Sequence, residues 1–285
     1  MLSSFAREGV QRILVGSVTA AARVTLQDQD GTPAAPAGTL TANLERDNGT
    51  VLATGRSTSG PGGAGNYTVT LTAAECATLD IIKVTWIDGA TPRASTYHRI
   101  VGGFLFRTDE ISSQSGLSGV PSSDLLRARD WITDIIEHNT GAAWCPSYDV
   151  EQFTVDSSRC THVLNMRPIR SLRSLTVDET TVDVSTVDVD EATGIISDVS
   201  FYGQCVASYE HGFDQPPSDL RLAAIEGARD RILRTSSGLS DRLRSQTNDL
   251  GVTQQFSYPG PGHPTGIDSV DAAIRAHDQR LPGIA

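Results

Sequence analysis

Between Asn66 and Val101 the chain reads NYTVTLTAAECATLDIIKVTWIDGATPRASTYHRIV. Apolar and polar residues alternate in NYTVTL (66–71), IIKVTWI (81–87) and STYHRIV (95–101). A half-buried strand requires that period of two, because successive side chains point to opposite faces. Trp86 alternates with Val84 and Ile82, which places it on the inward face as core. Towards the N-terminus the same pattern recurs in RVTLQD (23–28), TLTANLER (39–46) and TVLATG (50–55). Asp30-Gly31, Asn48-Gly49 and Asp88-Gly89 supply residue pairs that tolerate positive φ in turns between such runs. The glycine-rich stretch Gly60–Gly65 precedes a strand rather than joining a strand to a helix, so it predicts a loop and not a phosphate cradle.

Short strands at this spacing predict a small all-β sandwich of the immunoglobulin-like kind over residues 1–110. Residues 111–123 are rich in Ser and Gly and predict a linker. The period then changes. Pro121-Ser122-Ser123-Asp124 reads as a helix start with a Ser cap, Leu125, Ala128, Ile132, Ile135 and Ile136 follow at helical spacing beside Trp131, and Gly141 supplies the stop. Strand patterns return in VEQFTV (150–155), THVLNM (161–166), SLRSLTVD (171–178), TVDVSTVDVD (181–190), GIISDV (194–199) and CVASYEH (205–211), with a turn at Asp178-Glu179. A second helix is predicted from Pro217 to about Arg234, burying Leu220, Ala224, Ile225, Ala228 and Ile232. Residues 236–285 are polar and predict an extended tail, ending in a short amphipathic helix that carries Ile267, Val270, Ala273 and Ile274.

Composition bounds the function. The 285 residues carry a net charge of −11, which disfavours a general phosphate-neutralising surface for nucleic acid. No apolar run reaches the ~18 to 20 residues that span a bilayer. The start, MLSSFAREGVQRILVG, has only a broken apolar stretch and no cleavage-like site, so no export leader is expected. Cys76, Cys145, Cys160 and Cys205 form no CxxC pair and read as buried or incidental thiols, with a disulfide between Cys145 and Cys160, or either with Cys205, left open. The six histidines are scattered without metal-ligand spacing, and no hydrolase elbow, Walker loop or dinucleotide fingerprint is present. The acidic stretches at Asp28–Gly31 and Asp188–Gly194 fail the calcium-loop pattern, the second because Ala192 stands where an oxygen ligand is needed. No cofactor, metal site or catalytic residue is expected. The arginines Arg221, Arg229, Arg231, Arg234, Arg242 and Arg244 are interleaved with Asp219, Glu226, Asp230 and Asp241, which suits either a solvated ion-paired face or a contact between subunits.

Three phrases, in order, carry a resemblance. Leu125–His138 leads into Thr140-Gly141-Ala142-Ala143-Trp144; Arg167-Pro168-Ile169-Arg170-Ser171-Leu172 leads into a strand and hairpin; Tyr209-Glu210-His211-Gly212-Phe213 leads through Pro216 and Pro217 to Asp219-Leu220-Arg221 at the second helix. From Pro121 to Arg234 the chain resembles the phage head-to-tail connector (adaptor) proteins. That resemblance implies a multidomain protein: the β-sandwich, an α+β adaptor domain over 124–235 of helix, β-hairpins and helix, and the tail 236–285. It implies a structural, non-enzymatic virion protein at the head-tail interface, assembled in the host cytoplasm. The copies would form a ring, usually dodecameric, docked on the portal protein, with a stopper or head-closure protein below and packaged DNA passing through the lumen without sequence-specific binding. Under it Phe256, Tyr258, Ile267, Val270 and Ile274 of the tail are expected to bind the portal, and Trp131, Arg229, Arg231 and Arg234 to lie between subunits. The competing reading is a secreted or virion-surface carbohydrate-binding β-sandwich protein. It predicts an export signal and aromatic platforms, and only 6% of the residues are aromatic.

Overall fold

The computed structural model describes residues 10–27, 35–62, 65–156, 161–197, 202–237, 245–247, 253–255, 260 and 262–279. The chain forms two compact units. The first comprises Met1–Gly103, Pro146–Leu164 and Ile169–Gly212, and the second Phe104–Cys145, Asn165–Pro168 and Phe213–Ala285.

The first unit begins with eight strands: β1 (Gln11–Leu14), β2 (Ala21–Thr25), β3 (Leu40–Arg46), β4 (Val51–Ser57), β5 (Ser59–Gly62), β6 (Asn66–Thr70), β7 (Asp80–Asp88) and β8 (Thr91–Val101). They make a five-stranded sheet in the order β1-β8-β7-β3-β4 and a three-stranded sheet β2-β6-β5. Only β1 on β8 is parallel among these pairings. Inward residues of both sheets share one core, Ala22, Val24, Tyr67 and Val69 from the smaller and Leu40, Leu44, Ile82, Val84, Trp86 and Ile100 from the larger. Strand β7 is buried at every second residue, as its alternation requires. Trp86 is fully buried, and its indole N–H donates to Thr96 Oγ1 at 2.9 Å, so the ring's one polar atom is satisfied. The predicted loop at Gly60 is in part strand. Gly60 takes φ +151°, and a Cβ there would stand 2.7 Å from the Tyr67 ring, so only glycine lets β5 approach β6 this closely.

Seven further strands complete the first unit: β9 (Ser147–Val155), β10 (Thr161–Val163), β11 (Ile169–Val177), β12 (Thr180–Val182), β13 (Asp188–Asp190), β14 (Ile195–Ser197) and β15 (Gly203–His211). They form the antiparallel sheets β12-β11-β15-β9 and β10-β14-β13. Asp178 and Glu179 have φ 46° and 66°, the two consecutive positive values of a tight hairpin turn. Strand β8 runs beside β9: Arg99 pairs with Asp149 at 3.5 Å, and the Gly102 N–H donates to the Pro146 carbonyl at 2.7 Å. The strands of the expected 124–235 domain therefore share a compact unit with the N-terminal strands, whereas its helices belong to the other unit.

The second unit holds α1 (Thr108–Ser112), α2 (Ser122–Thr140), α3 (Ser218–Ser237), the short pair β16 (Ser245–Thr247) and β17 (Thr253–Gln255), and α4 (Asp268–Ala276). Leu125, Ala128, Ile132 and Ile136 of α2 and Leu220, Ala224, Ala228 and Ile232 of α3 are buried on the predicted stripes. Ile135, Trp131 and Ile225 are partly buried beside them. Gly141 ends α2 in the left-handed region at φ 67°, its N–H donating to the Glu137 carbonyl at 2.9 Å. At the start of α2 the cap position is Pro121, and no side chain caps the helix, so the expected Ser cap is not formed. Residues 111–123 are not an unpacked linker. Ile111 and Leu117, two apolar anchors that the Ser and Gly content masks, lie in the core with Leu105 and Phe106 just before the segment.

Cys76 and Cys205 are buried thiols, and burial pushes both up from the usual thiol range. Cys145 is buried, and Cys160 lies outside the described residues. Asp190 accepts the amides of Ala192 and Thr193 at 3.0 and 3.2 Å, so this calcium-like stretch closes a turn with its own carboxylate.

Candidate functional site

The helical unit contains a knot built from all three phrases singled out in the sequence. Helix α2 runs into Ala142, which bridges Arg167 in parallel, and the Ala143 carbonyl accepts the Phe213 N–H at 3.1 Å. Trp144 stacks on Phe213 with ring centroids 4.8 Å apart and planes 12° from parallel. Its indole N–H donates to Thr140 Oγ1 at 3.1 Å. The end of α4 closes over this stack: His277 meets the Trp144 ring edge-on at 5.4 Å, and the Gln279 N–H donates to the Thr140 carbonyl at 2.8 Å. His277 Nε2 lies 2.8 Å from Asp219 Oδ2 in the first turn of α3. That hydrogen bond holds the Asp219 carboxyl below the usual carboxylate range.

The arginines of α3 divide by task. Arg221 pairs with Glu110 of α1, and Arg229 donates to the Ser115 carbonyl at 3.3 Å, so both tie α3 to the segment before α2. Arg234 pairs with Asp230 one turn earlier at 2.6 Å. Arg231 is exposed and lies 4.4 Å over the ring of the partly buried Trp131. Of the four expected intersubunit residues, Trp131 and Arg231 thus form a pair at the surface of the unit, while Arg229 and Arg234 serve contacts within it. Leu222 of α3 is 67% exposed and was not singled out from sequence, because its apolar neighbours hide its outward phase. Arg242 and Arg244 lie outside the described residues.

The tail residues also separate. Val270 and Ile274 are buried in the core of this unit, with Ile267 packed against it. They fill the groove between α2 and α3. Phe256 and Tyr258 lie outside the described residues.

A polar cluster in the strand unit is of another kind. Glu151 takes a hydrogen bond from the Tyr209 hydroxyl at 3.2 Å and stands 2.9 Å from His162 Nε2, and the His162 ring stacks on Phe153 at 3.6 Å. These groups clamp β9, β10 and β15 together. Among the described residues no group of His, Cys, Asp and Glu is arranged to hold a metal ion. No described helix is long and apolar enough to cross a membrane.

No family model matches the chain, and no curated protein matches it significantly. Among solved structures, a chain of the neck of an empty gene transfer agent particle, computed with C6 symmetry, is similar at TM-score 0.43 and 16% identity over 63% of this chain and 92% of that one. A chain of the neck of the native particle, computed with C12 symmetry, gives TM-score 0.39 and 14% identity over 65% and 98%. A chain of the native gene transfer agent virion gives 0.41 and 16% over 63% and 92%. At TM-scores below 0.5 these likenesses assign neither fold nor function.

Proposed function

We propose that this chain is a structural, non-enzymatic subunit of a phage-type particle: a head-to-tail adaptor whose copies form a ring on the portal and connect the DNA-filled head to a stopper or head-closure protein. The observation that carries the reading is the knot at Trp144. The three phrases that resemble the adaptor family stand far apart along the chain, and Trp144, Arg167 and Phe213, one from each, belong to a single set of contacts.

In this reading residues 124–235 supply the adaptor and residues 1–110 an immunoglobulin-like decoration. Strand order supports the second point. The sheets β8-β7-β3-β4 and β2-β6-β5 follow the two-sheet order of immunoglobulin domains, with β1 added in parallel to the last strand. The Trp131–Arg231 pair and Leu222 serve the contact between copies, since aromatic residues and arginine are the anchors that interfaces favour. Portal docking falls to the segment between α3 and α4, with Phe256 and Tyr258, rather than to α4. The net charge of −11 suits a channel that lets DNA pass without holding it.

The test is the native mass of the chain alone and with the portal of the same particle. It is repeated on a variant whose residues 245–259 are replaced by a Gly-Ser linker, which leaves α4 to complete its core. A ring-sized complex that depends on portal, and is lost in the variant, is expected. A monomer indifferent to portal would overturn the assignment.

A further inference from the structure

Of the six asparagines in the chain, only Asn48 is followed by glycine. Asn48, Gly49 and Thr50 are exposed at the tip of the β3–β4 hairpin, where β4 forms one edge of the five-stranded sheet. Two main-chain bonds make the turn, Gly49 N–H to the Arg46 carbonyl and Arg46 N–H to the Thr50 carbonyl, both at 2.9 Å. Gly49 takes φ +82°, the left-handed residue that closes a hairpin loop of this kind, so the turn requires glycine here. The same requirement sets the least hindered of peptide nitrogens next to an amide side chain.

The Asn48 side chain is held in place. Its Oδ1 accepts the Thr50 N–H at 3.0 Å, which folds the amide back over the Gly49 peptide. That N–H polarises the side-chain carbonyl and stands where negative charge develops when a nucleophile adds to Cγ. The nucleophile at hand is the Gly49 nitrogen after hydroxide has taken its proton.

We propose that Asn48 is a site of spontaneous modification, its amide converted through a cyclic imide with Gly49 into aspartate and isoaspartate. In the first step the bond from Gly49 N to Asn48 Cγ forms and the Cγ–Nδ2 bond breaks. Ammonia leaves, taking its third proton from the water that hydroxide became. Water then adds across one of the two carbonyl–nitrogen bonds of the imide. Opening at Cγ leaves aspartate at position 48, and opening at the main-chain carbonyl leaves isoaspartate, in which the chain runs on through the side-chain methylene. Nothing is oxidised or reduced.

Among the described residues no other site combines these features. Asn43 is followed by the buried Leu44, and Asn139 donates through Nδ2 to the Ile135 carbonyl at 2.8 Å, which ties down the leaving nitrogen. Asp88-Gly89 could close the same ring, but its carboxylate accepts the Ala37 and Gly38 N–H groups at 2.8 and 2.6 Å and pairs with Arg93, so it stays ionised and lacks a leaving group. Either product at position 48 adds one negative charge to a chain already at −11, next to Asp47, whose carboxyl is held above the usual range by burial and by Asp80 and Asp149. Isoaspartate also lengthens the loop by a methylene, so the turn that ties β4 to the sheet loosens as the chain ages.

The experiment holds the full folded chain in mildly alkaline buffer beside a portion unfolded in urea. Both are followed by peptide mapping with mass spectrometry and by labelling with an isoaspartyl methyltransferase. Loop tips open at little cost, so the Gly49–Arg46 bond should slow the folded reaction by no more than about tenfold. Expected is conversion of the Asn48 peptide ahead of every other asparagine, faster as pH rises, and absent at that position in Asn48→Gln, whose longer side chain would have to close a larger, less favoured ring. An Asn48 peptide that stays intact in the folded chain while the urea portion converts, or intact in both, overturns the proposal, as does earlier conversion at another asparagine. None of these outcomes bears on the adaptor reading.

Discussion

His98 and His211 are sealed inside the strand unit, and at His211 neither ring nitrogen meets a partner among the described residues. Burial pushes both down to about 3, with Arg99 adding to the effect at His211. Because the folded value lies below the unfolded 6.5, the unfolded chain takes up protons first. Stability is then full above pH 6.5 and declines as pH falls towards 3, by about 1.4 kcal/mol per pH unit for each histidine. His211→Leu is expected to remove about half of that decline in urea melts between pH 6.5 and 4.5, and an unchanged slope would show that other groups set the acid limit. Gly203 poses a steric problem of the same scale. It sits at φ +114°, where a Cβ would lie 2.4 Å from Asp178 Oδ2, and Asp178 is itself pinned by accepting the Gln204 N–H at 2.9 Å. Gly203→Ala should cost about 1–3 kcal/mol in thermal unfolding.

Among the elements, α4 departs most from a tail that waits for a partner. Its apolar residues were legible at helical spacing, and what covers them was not, because the groove is made by α2 and α3 far upstream. Ile274→Ala should destabilise the helical unit by about 2–4 kcal/mol, as truncation of a buried side chain does. A loss below about 0.5 kcal/mol in a denaturant titration would mean that α4 is not part of the core in solution. Arg231→Ala makes the opposite contrast. The guanidinium is exposed over Trp131, so stability should change by less than about 1 kcal/mol. Self-association, followed by sedimentation, should weaken if the pair faces another copy.

For the whole molecule, charge sets the conditions of assembly. Copies carrying −11 each repel one another, and salt screens that repulsion over about 10 Å at 0.1 M. An interface driven by apolar burial should therefore strengthen as salt rises from low to moderate concentration, whereas one held by arginine-carboxylate pairs should weaken. Sedimentation across a salt series separates the two.

The sequence by itself determined the local elements. The alternation of β7, the stripes of α2 and α3, the helix stop at Gly141 and the turn at Asp178-Glu179 were all legible, because side-chain period and positive-φ tolerance are written in consecutive residues. It also supplied the residues of the candidate site, though not their pairing: Arg231 over Trp131, Phe213 on Trp144 and Val270 in the groove each join positions far apart along the chain. Only the tertiary structure decided that strands β9 to β15 belong with the N-terminal strands, that Ile111 and Leu117 anchor 111–123 in the core and that α4 is packed. Burial depends on which distant surfaces close over a residue, and local pattern records that a face is apolar without recording what covers it.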